Sequence, residues 1–244
     1  MAKQTQTIEE LFELGAHLGH QKSRMHPKAK KQVYKIINGT SIIDLTVTVD
    51  QIKKAKDVLK HAASEGKVIL VVATKKVANK FIAEIASEKN IPYITSKWMP
   101  GLLTNFDMLM KNVHKYKTLV EERDNGAWDE FVKHERTKKG KEISRLERLY
   151  KGLVLLKKLP DYVVVVDARK EKNAIEEAKQ FNIPVIGLID TNSNPEVITY
   201  PILANDDAAQ VVERIMTDLL ETYADAKVEI VEETKEAEPV PATA

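Results

Sequence analysis

The run VILVVA at residues 68–73 decides the class of fold. Its six residues are apolar without interruption, the pattern of a strand buried on both faces of a parallel sheet rather than the alternation of a strand with one wet face. Outward from it the chain alternates. Helical periodicity precedes the run over residues 49–63 and stops before Gly66; a second helix is expected over 76–89 and a short strand over 91–95. Buried strands follow at 162–166 and 184–189, with helices at 174–181 and 206–223. Strands separated by helices predict an α/β fold, a parallel twisted sheet with helices on both faces. Ahead of it stand a short helix at 7–14 and a loop containing Gly15 and Gly19. A hairpin comes next, with strands at 33–37 and 41–45 joined by Asn38-Gly39, a dipeptide that tolerates the positive φ of a tight turn.

One segment interrupts the alternation. Between the strands at 91–95 and 162–166, Phe106, Met110, Val113, Tyr116 and Val120 recur at spacings of four and three, and so do Ile143, Leu146, Leu149, Leu153, Leu156 and Leu159. Two such stripes around the polar segment 121–137 predict an antiparallel helical hairpin of the coiled-coil kind, inserted into the α/β domain and projecting as an arm. The expected organisation is a discontinuous α/β domain over 1–105 and 160–225, an arm over 106–159, and an acidic, disordered tail over 226–244.

Composition removes several functions. With no Cys there is no disulfide, thiolate nucleophile or Cys-based zinc motif, which fits a reducing compartment such as the cytoplasm. Glu9, Glu10 and Glu13 stand where a signal peptide needs an apolar core, and no apolar run is long enough to span a bilayer, so no membrane partner is expected. The net charge of +2 hides an asymmetry: residues 228–244 hold five Glu against Lys235, a net of −4, which leaves +6 on the preceding body. A basic body followed by an acidic end is suited to a polyanionic partner.

The sharpest chemical signal lies between Leu14 and Ile43, where there is no Asp or Glu but there are Lys22, Arg24, Lys28, Lys30, Lys31 and Lys35, with His17, His20 and His26 nearby. Solvated faces normally mix both signs. Six cations without counter-charges repel one another unless phosphates neutralise them, the footprint of nucleic-acid backbone binding. Tyr34 can stack on a base, although a strand aromatic is more often core. His17 and His20 can share a turn and bind a metal with Asp190, yet hydrogen-bonding histidines are the commoner case and no metal is expected. Asp167 and Asp190 end apolar strands at the ligand-binding edge of an α/β sheet, which keeps open an alternative: an enzyme or binding protein for a small phosphorylated or nucleotide ligand. Against it, the nine glycines form no phosphate loop, dinucleotide fingerprint or nucleophile elbow, and capping accounts for both Asp residues and for Asn205-Asp206-Asp207.

Seven strings, GAHLGHQ (15–21), NGTSIIDL (38–45), ATKK (73–76), KWMPGLLTNF (97–106), DYVVVVDARKE (161–171), IPVIGLIDTNSNP (183–195) and YPILANDDA (200–208), occur in the order found in one family. Over roughly residues 8–220 the chain resembles bacterial small-subunit ribosomal protein S-two. Met25-His26, Met99-Pro100 and Leu203 depart from the family's usual Trp-Asn, Leu-Gly and Pro. The resemblance implies a flavodoxin-like or Rossmann-like domain with an inserted coiled-coil hairpin. It also implies a structural role in the small ribosomal subunit: binding of small-subunit rRNA, contact with neighbouring ribosomal proteins including the large protein S-one, and no catalysis, cofactor or small-molecule substrate. The family's GHQ and the basic segment after it fall on His20, Gln21, Lys22, Arg24 and Lys28. Lys75 and Lys76 begin a helix where backbone amides and ammonium groups can jointly meet phosphate. Trp98, Thr104 and Asn105 match the family's Trp and LTN positions, and Trp98 is expected to pack in the core rather than stack on RNA.

Overall fold

In the computed structural model, which describes residues 2–128 and 130–236, the chain opens with α1 (Ala2–Glu13) and a small antiparallel sheet. That sheet consists of β1 (Leu18–Gln21), β2 (Val33–Ile37) and β3 (Thr40–Ile43) in the order β1-β3-β2. The β2-β3 connection is the expected turn, with Asn38 and Gly39 at φ +47° and +81°. β1 corrects the expected loop. Its Gly19 lies so close to the loop after residue 189 that a Cβ would stand 2.7 Å from Thr191 Cγ2 and 3.1 Å from the Ser41 carbonyl. That strand exists because of its distant partners, which no local pattern displays. Two short 3-10 segments, Lys22–Arg24 and Pro27–Gln32, lie between β1 and β2.

The main body continues through α2 (Leu45–Ser64), β4 (Ile69–Val72), α3 (Lys76–Glu88), β5 (Tyr93–Ile94), α4 (Phe106–Asp124), α5 (Lys133–Tyr150), β6 (Tyr162–Val166), α6 (Lys172–Gln180), β7 (Val185–Ile189), β8 (Tyr200–Leu203) and α7 (Ala209–Glu236). Asp44 caps α2, its Oδ1 accepting the Thr46 N–H at 3.0 Å. β5-β4-β6-β7-β8 form one sheet in that order, every pair parallel. Alternate residues of each strand face opposite layers, and both layers are apolar. Ile69, Val71, Val164, Val166, Ile186 and Leu188 pack with α2, α3 and α7; Leu70, Val72, Val163, Val165, Val185 and Ile189 pack with α6 and the residues around α4 and α5. That two-sided burial is why the strands read as uninterrupted apolar runs.

Two expectations need correction. β8 has no counterpart in the sequence reading; its Pro201, which a central strand would not accept, is tolerated because β8 is an edge. The last helix, expected to end at 223, is longer: α7 continues through Glu236, since Ala, Lys and Glu are good helix formers and neither Gly nor Pro occurs between its start and Pro239. Residues 237–244 lie outside the described residues.

α4 and α5 run antiparallel, as Asn112 with Tyr150, Lys115 with Glu142 and Glu122 with Lys139 demonstrate. Val113, Tyr116 and Leu119 of α4 and Ile143, Leu146 and Tyr150 of α5 are buried in one apolar cluster. The second stripe does not stay helical to Leu159. α5 stops at Tyr150, a 3-10 turn spans Lys151–Leu153, and the fully buried Leu153 and Leu156 join the sheet-facing core. The turn places Gly152 against edge strand β5, where a Cβ would lie 2.3 Å from the Tyr93 carbonyl oxygen and 2.8 Å from its ring. Gly152→Ala should therefore cost about 2–3 kcal/mol, because backbone on both sides must move apart. Urea denaturation reads this directly, and an unchanged midpoint would mean that the turn does not dock on β5 in solution.

Candidate functional site

The carboxyl ends of β4, β6, β7 and β8 converge on one polar cluster, beside the point between β4 and β6 where the chain switches direction across the sheet. From β4 comes Lys75, from β6 Asp167, from β7 Asp190 and from the segment after β8 Asp206 and Asp207. The Lys75 Nζ lies 2.7 Å from Asp206 Oδ1, 2.6 Å from Asp207 Oδ1 and 3.6 Å from Asp167 Oδ2. Burial works against the Lys75 ammonium, but hydrogen bonds to Asp206 and Asp207 hold its pKa above the ordinary lysine value. Burial, reinforced by repulsion from Asp167 and Asp190, pushes the Asp206 carboxyl up to about 7 in spite of Lys75. Its Oδ2 is buried without a hydrogen-bond partner. Asp207, more exposed, is held below the usual range by its hydrogen bond to Lys75.

His20, brought in by β1, closes the cluster. Its Nδ1 donates to Asp190 Oδ2 at 2.6 Å, and its Nε2 accepts from Asn192 Nδ2 at 3.1 Å. Thr191 ties the strand down, accepting the His20 N–H on Oγ1 at 2.9 Å and the His26 N–H on its carbonyl at 2.8 Å. His20, Asp190 and Asp207 present ligand atoms within 4.8 Å of one another, the set among the described residues that can hold a metal ion. His17 does not join it; its ring stacks on Phe12 with centroids 4.1 Å apart. A polar cleft of about 360 Å³, lined by Gly19, His20, Arg24, Asp190, Asn205 and Asp207, opens beside these groups.

The capping roles read for the acids hold in part. Asp167 Oδ1 accepts the N–H groups of Arg169 and Lys170, which supports its left-handed backbone at φ +69°. Asn205 Oδ1 accepts those of Asp207 and Ala208 ahead of α7. Asp206 is not a solvated first-turn acid but the buried partner of Lys75.

The ten residues singled out from the sequence therefore separate into two groups. Gln21, Lys22, Arg24, Lys28, Lys30, Lys31, Lys35 and Lys76 are exposed. Lys28 pairs with Glu196; for the others no ion pair forms within 4.0 Å among the described residues. His20 and Lys75 instead turn inward. Lys75 is satisfied by carboxylates rather than presented to phosphate, because β8 brings two acids to it that are remote in sequence. Tyr34, whose strand position implied core, is 75% exposed because the small sheet leaves β2 on an edge beside solvent.

One residue escaped the sequence reading. Glu177, buried on α6, accepts Trp98 Nε1 and Gly101 N on Oε1, both at 2.9 Å, and the Leu103 N–H on Oε2 at 3.0 Å. It fixes the segment 98–104, and Trp98 is core, 5% exposed. A Glu among helix residues gives no sequence sign of such a role.

Comparison with known proteins agrees with this architecture. A family model described as Ribosomal protein S2 matches residues 11–226. Proteins named small ribosomal subunit protein uS2 are similar over nearly the whole chain. That of Dehalococcoides mccartyi is 39% identical over 238 residues, covering 96% of this chain and 97% of the relative. That of Coprothermobacter proteolyticus is 38% identical over 221 residues, covering 91% and 82%; that of Helicobacter hepaticus is 34% identical over 230 residues, covering 94% and 87%.

Proposed function

Since the chain belongs to the ribosomal protein S2 family, we propose that it is a non-catalytic structural constituent of the small ribosomal subunit that acts in the cytoplasm by binding small-subunit rRNA. The observation that carries the RNA reading is the exposed basic surface of the small sheet and its two 3-10 segments. Lys22, Arg24, Lys30, Lys31 and Lys35 stand there, exposed and without carboxylate partners within 4.0 Å among the described residues. Phosphates supply the missing counter-charge, and Tyr34 beside Lys35 offers a face on which a base can stack. Residues 106–159 serve in this reading as an inserted arm. Neighbouring subunit proteins, protein S-one among them, complete the set of partners: Leu18, Tyr34 and Ile37 leave apolar surface exposed on the small sheet, of the kind a protein partner covers.

The competing reading, a phosphorylated or nucleotide ligand at the Asp167/Asp190 edge, meets an electrostatic obstacle. Three acids, Asp167, Asp206 and Asp207, face Lys75, the one ammonium within 4.0 Å of them among the described residues, and Asp190 stands beside them on His20, so the edge repels phosphate. It is suited to a cation.

Replacing Lys22, Arg24, Lys30, Lys31 and Lys35 by Gln should flatten the dependence of log K on log salt for a small-subunit rRNA transcript. The expected loss is roughly 2 to 4 units of slope, at 0.7 to 0.9 per phosphate contact. An unchanged slope would remove this surface from the RNA interface.

A further inference from the structure

We propose that Thr191, in the loop after β7, is the positioning residue of the basic surface: it fastens both ends of the strap formed by residues 21–25 and so presents Lys22 and Arg24 to rRNA phosphates; this inference rests on the rRNA-binding reading. The strap leaves the end of β1, an edge strand of the small sheet, whose free side carries backbone N–H groups that no strand of that sheet can accept. The His20 N–H finds its acceptor in Thr191 Oγ1 at 2.9 Å. Farther along, beyond the strap, the His26 N–H finds its own in the Thr191 carbonyl at 2.8 Å. A single residue at the rim of the parallel sheet thus holds the chain on either side of Lys22 and Arg24, both of which are exposed.

Thr191 is itself immobilised. It is fully buried, and both its N–H and its hydroxyl, the latter at 2.9 Å, donate to Oδ1 of the buried Asp190. The hydroxyl therefore donates on the side of the parallel sheet and accepts on the side of β1, a pairing that Val, close to Thr in shape, cannot supply. The two sides meet so closely that a Cβ on Gly19 would lie 2.9 Å from Thr191 Oγ1. Away from Thr191 the strap is fastened to the small sheet: the Lys22 N–H donates to the Gly39 carbonyl at 2.8 Å, and the buried Ser41 hydroxyl reaches Met25 Sδ at 3.6 Å. Loss of the Thr191 hydroxyl would leave the strap folded on the small sheet but free to shift against the parallel sheet. A short segment held at both ends has few conformations, and cations on it lose little freedom when they bind. Arg24 shows what is at stake in the orientation. It lines the cleft that it shares with Asp190 and Asp207 yet pairs with neither within 4.0 Å, so a slack strap would let its guanidinium turn to these carboxylates and away from phosphate.

The test uses the full chain and a small-subunit rRNA transcript, with binding measured across a salt series. Four variants are compared: Thr191→Val, Thr191→Ser, Lys22 and Arg24 both replaced by Gln, and that Gln pair combined with Thr191→Val. Thr191→Val should weaken binding roughly tenfold, whereas Thr191→Ser, which keeps the hydroxyl, should stay within about twofold of the unmodified chain. The Gln pair should weaken binding and flatten the dependence of log K on log salt by roughly 1.5 units, at 0.7 to 0.9 per phosphate contact. In the Gln background Thr191→Val should cost no more than about a further twofold, because the groups that it positions are gone. A full tenfold loss in that background overturns the proposal, since Thr191 would then act through something other than Lys22 and Arg24. Equal losses in Thr191→Val and Thr191→Ser overturn it, and so does a folded Thr191→Val that binds like the unmodified chain. Unchanged binding by the Gln pair overturns it while leaving the rRNA reading intact, provided that the variant lacking all five small-sheet cations still flattens. Near-UV circular dichroism checks the fold of each variant. Should Thr191→Val not fold, amide exchange in the unmodified chain decides: the N–H groups of His20 and His26 should be protected about tenfold or more beyond that of Ser23, and equal exchange overturns the proposal. If the unmodified chain shows no salt-dependent binding to the transcript, the rRNA reading fails and the positioning proposal falls with it.

Discussion

Replacing Glu177 by alanine is expected to destabilise the protein by about 3–5 kcal/mol, because it removes a buried carboxylate that accepts several hydrogen bonds and leaves their donors in an apolar layer. Trp98 Nε1 and the Gly101 and Leu103 N–H groups all lose their acceptor, and Trp98 and Leu103 lie 5% and 1% exposed, where water cannot readily replace it. Glu177→Gln should cost less but not nothing, since one of its two terminal atoms is a donor that meets donors. The alanine variant should also lose near-UV dichroism and show a shifted Trp98 fluorescence, while β6 and β7 retain their slow amide exchange. A destabilisation below about 1 kcal/mol would mean that segment 98–104 is held by packing alone.

A second large effect is expected at Lys75. Lys75→Met keeps much of the side chain's length but removes the only ammonium that, among the described residues, pairs with Asp167, Asp206 and Asp207, and should cost about 3–5 kcal/mol at pH 8. The sign of the pH dependence follows from Asp206. Its carboxyl titrates at about 7 in the folded chain against an ordinary 3.8, so the folded state holds an extra proton between these values. The contribution of this group to stability is then fully present below about pH 4 and is lost as pH rises toward 7. Without Lys75 the window extends further upward. The penalty of Lys75→Met should thus shrink at pH 5.5, where Asp206 carries a proton, relative to pH 8. Denaturant titrations in a chelator-containing buffer at both pH values decide this, the chelator excluding a metal ion on His20, Asp190 and Asp207. Equal penalties at the two pH values would assign the loss to packing rather than charge.

These expectations draw on different levels of information. The sequence by itself determined the α/β class, because strands buried on both faces must be continuously apolar: the run expected at 162–166 coincides with β6, and that expected at 184–189 lies within one residue of β7. It also determined the β2-β3 hairpin, the existence of α4 and α5, and, through seven motifs in register, the family. The exposed cations from Lys22 to Lys35 were legible for a related reason: the absence of any acid over a stretch of chain is a local property.

Only the tertiary structure decided what depends on partners distant along the chain. Lys75 and Lys76 are adjacent lysines at one helix start, yet Lys76 faces solvent and Lys75 faces Asp206 and Asp207, more than 130 residues away, because parallel strands bring their carboxyl ends together. β1 and β8 are strands only through their neighbours, Gly152 is required only because β5 lies against it, and Glu177 is an acceptor only because segment 98–104 passes over α6. Hydrophobic period records which face of an element is buried. It carries no record of which polar group meets which, since that pairing is fixed by the crossing of elements far apart in sequence.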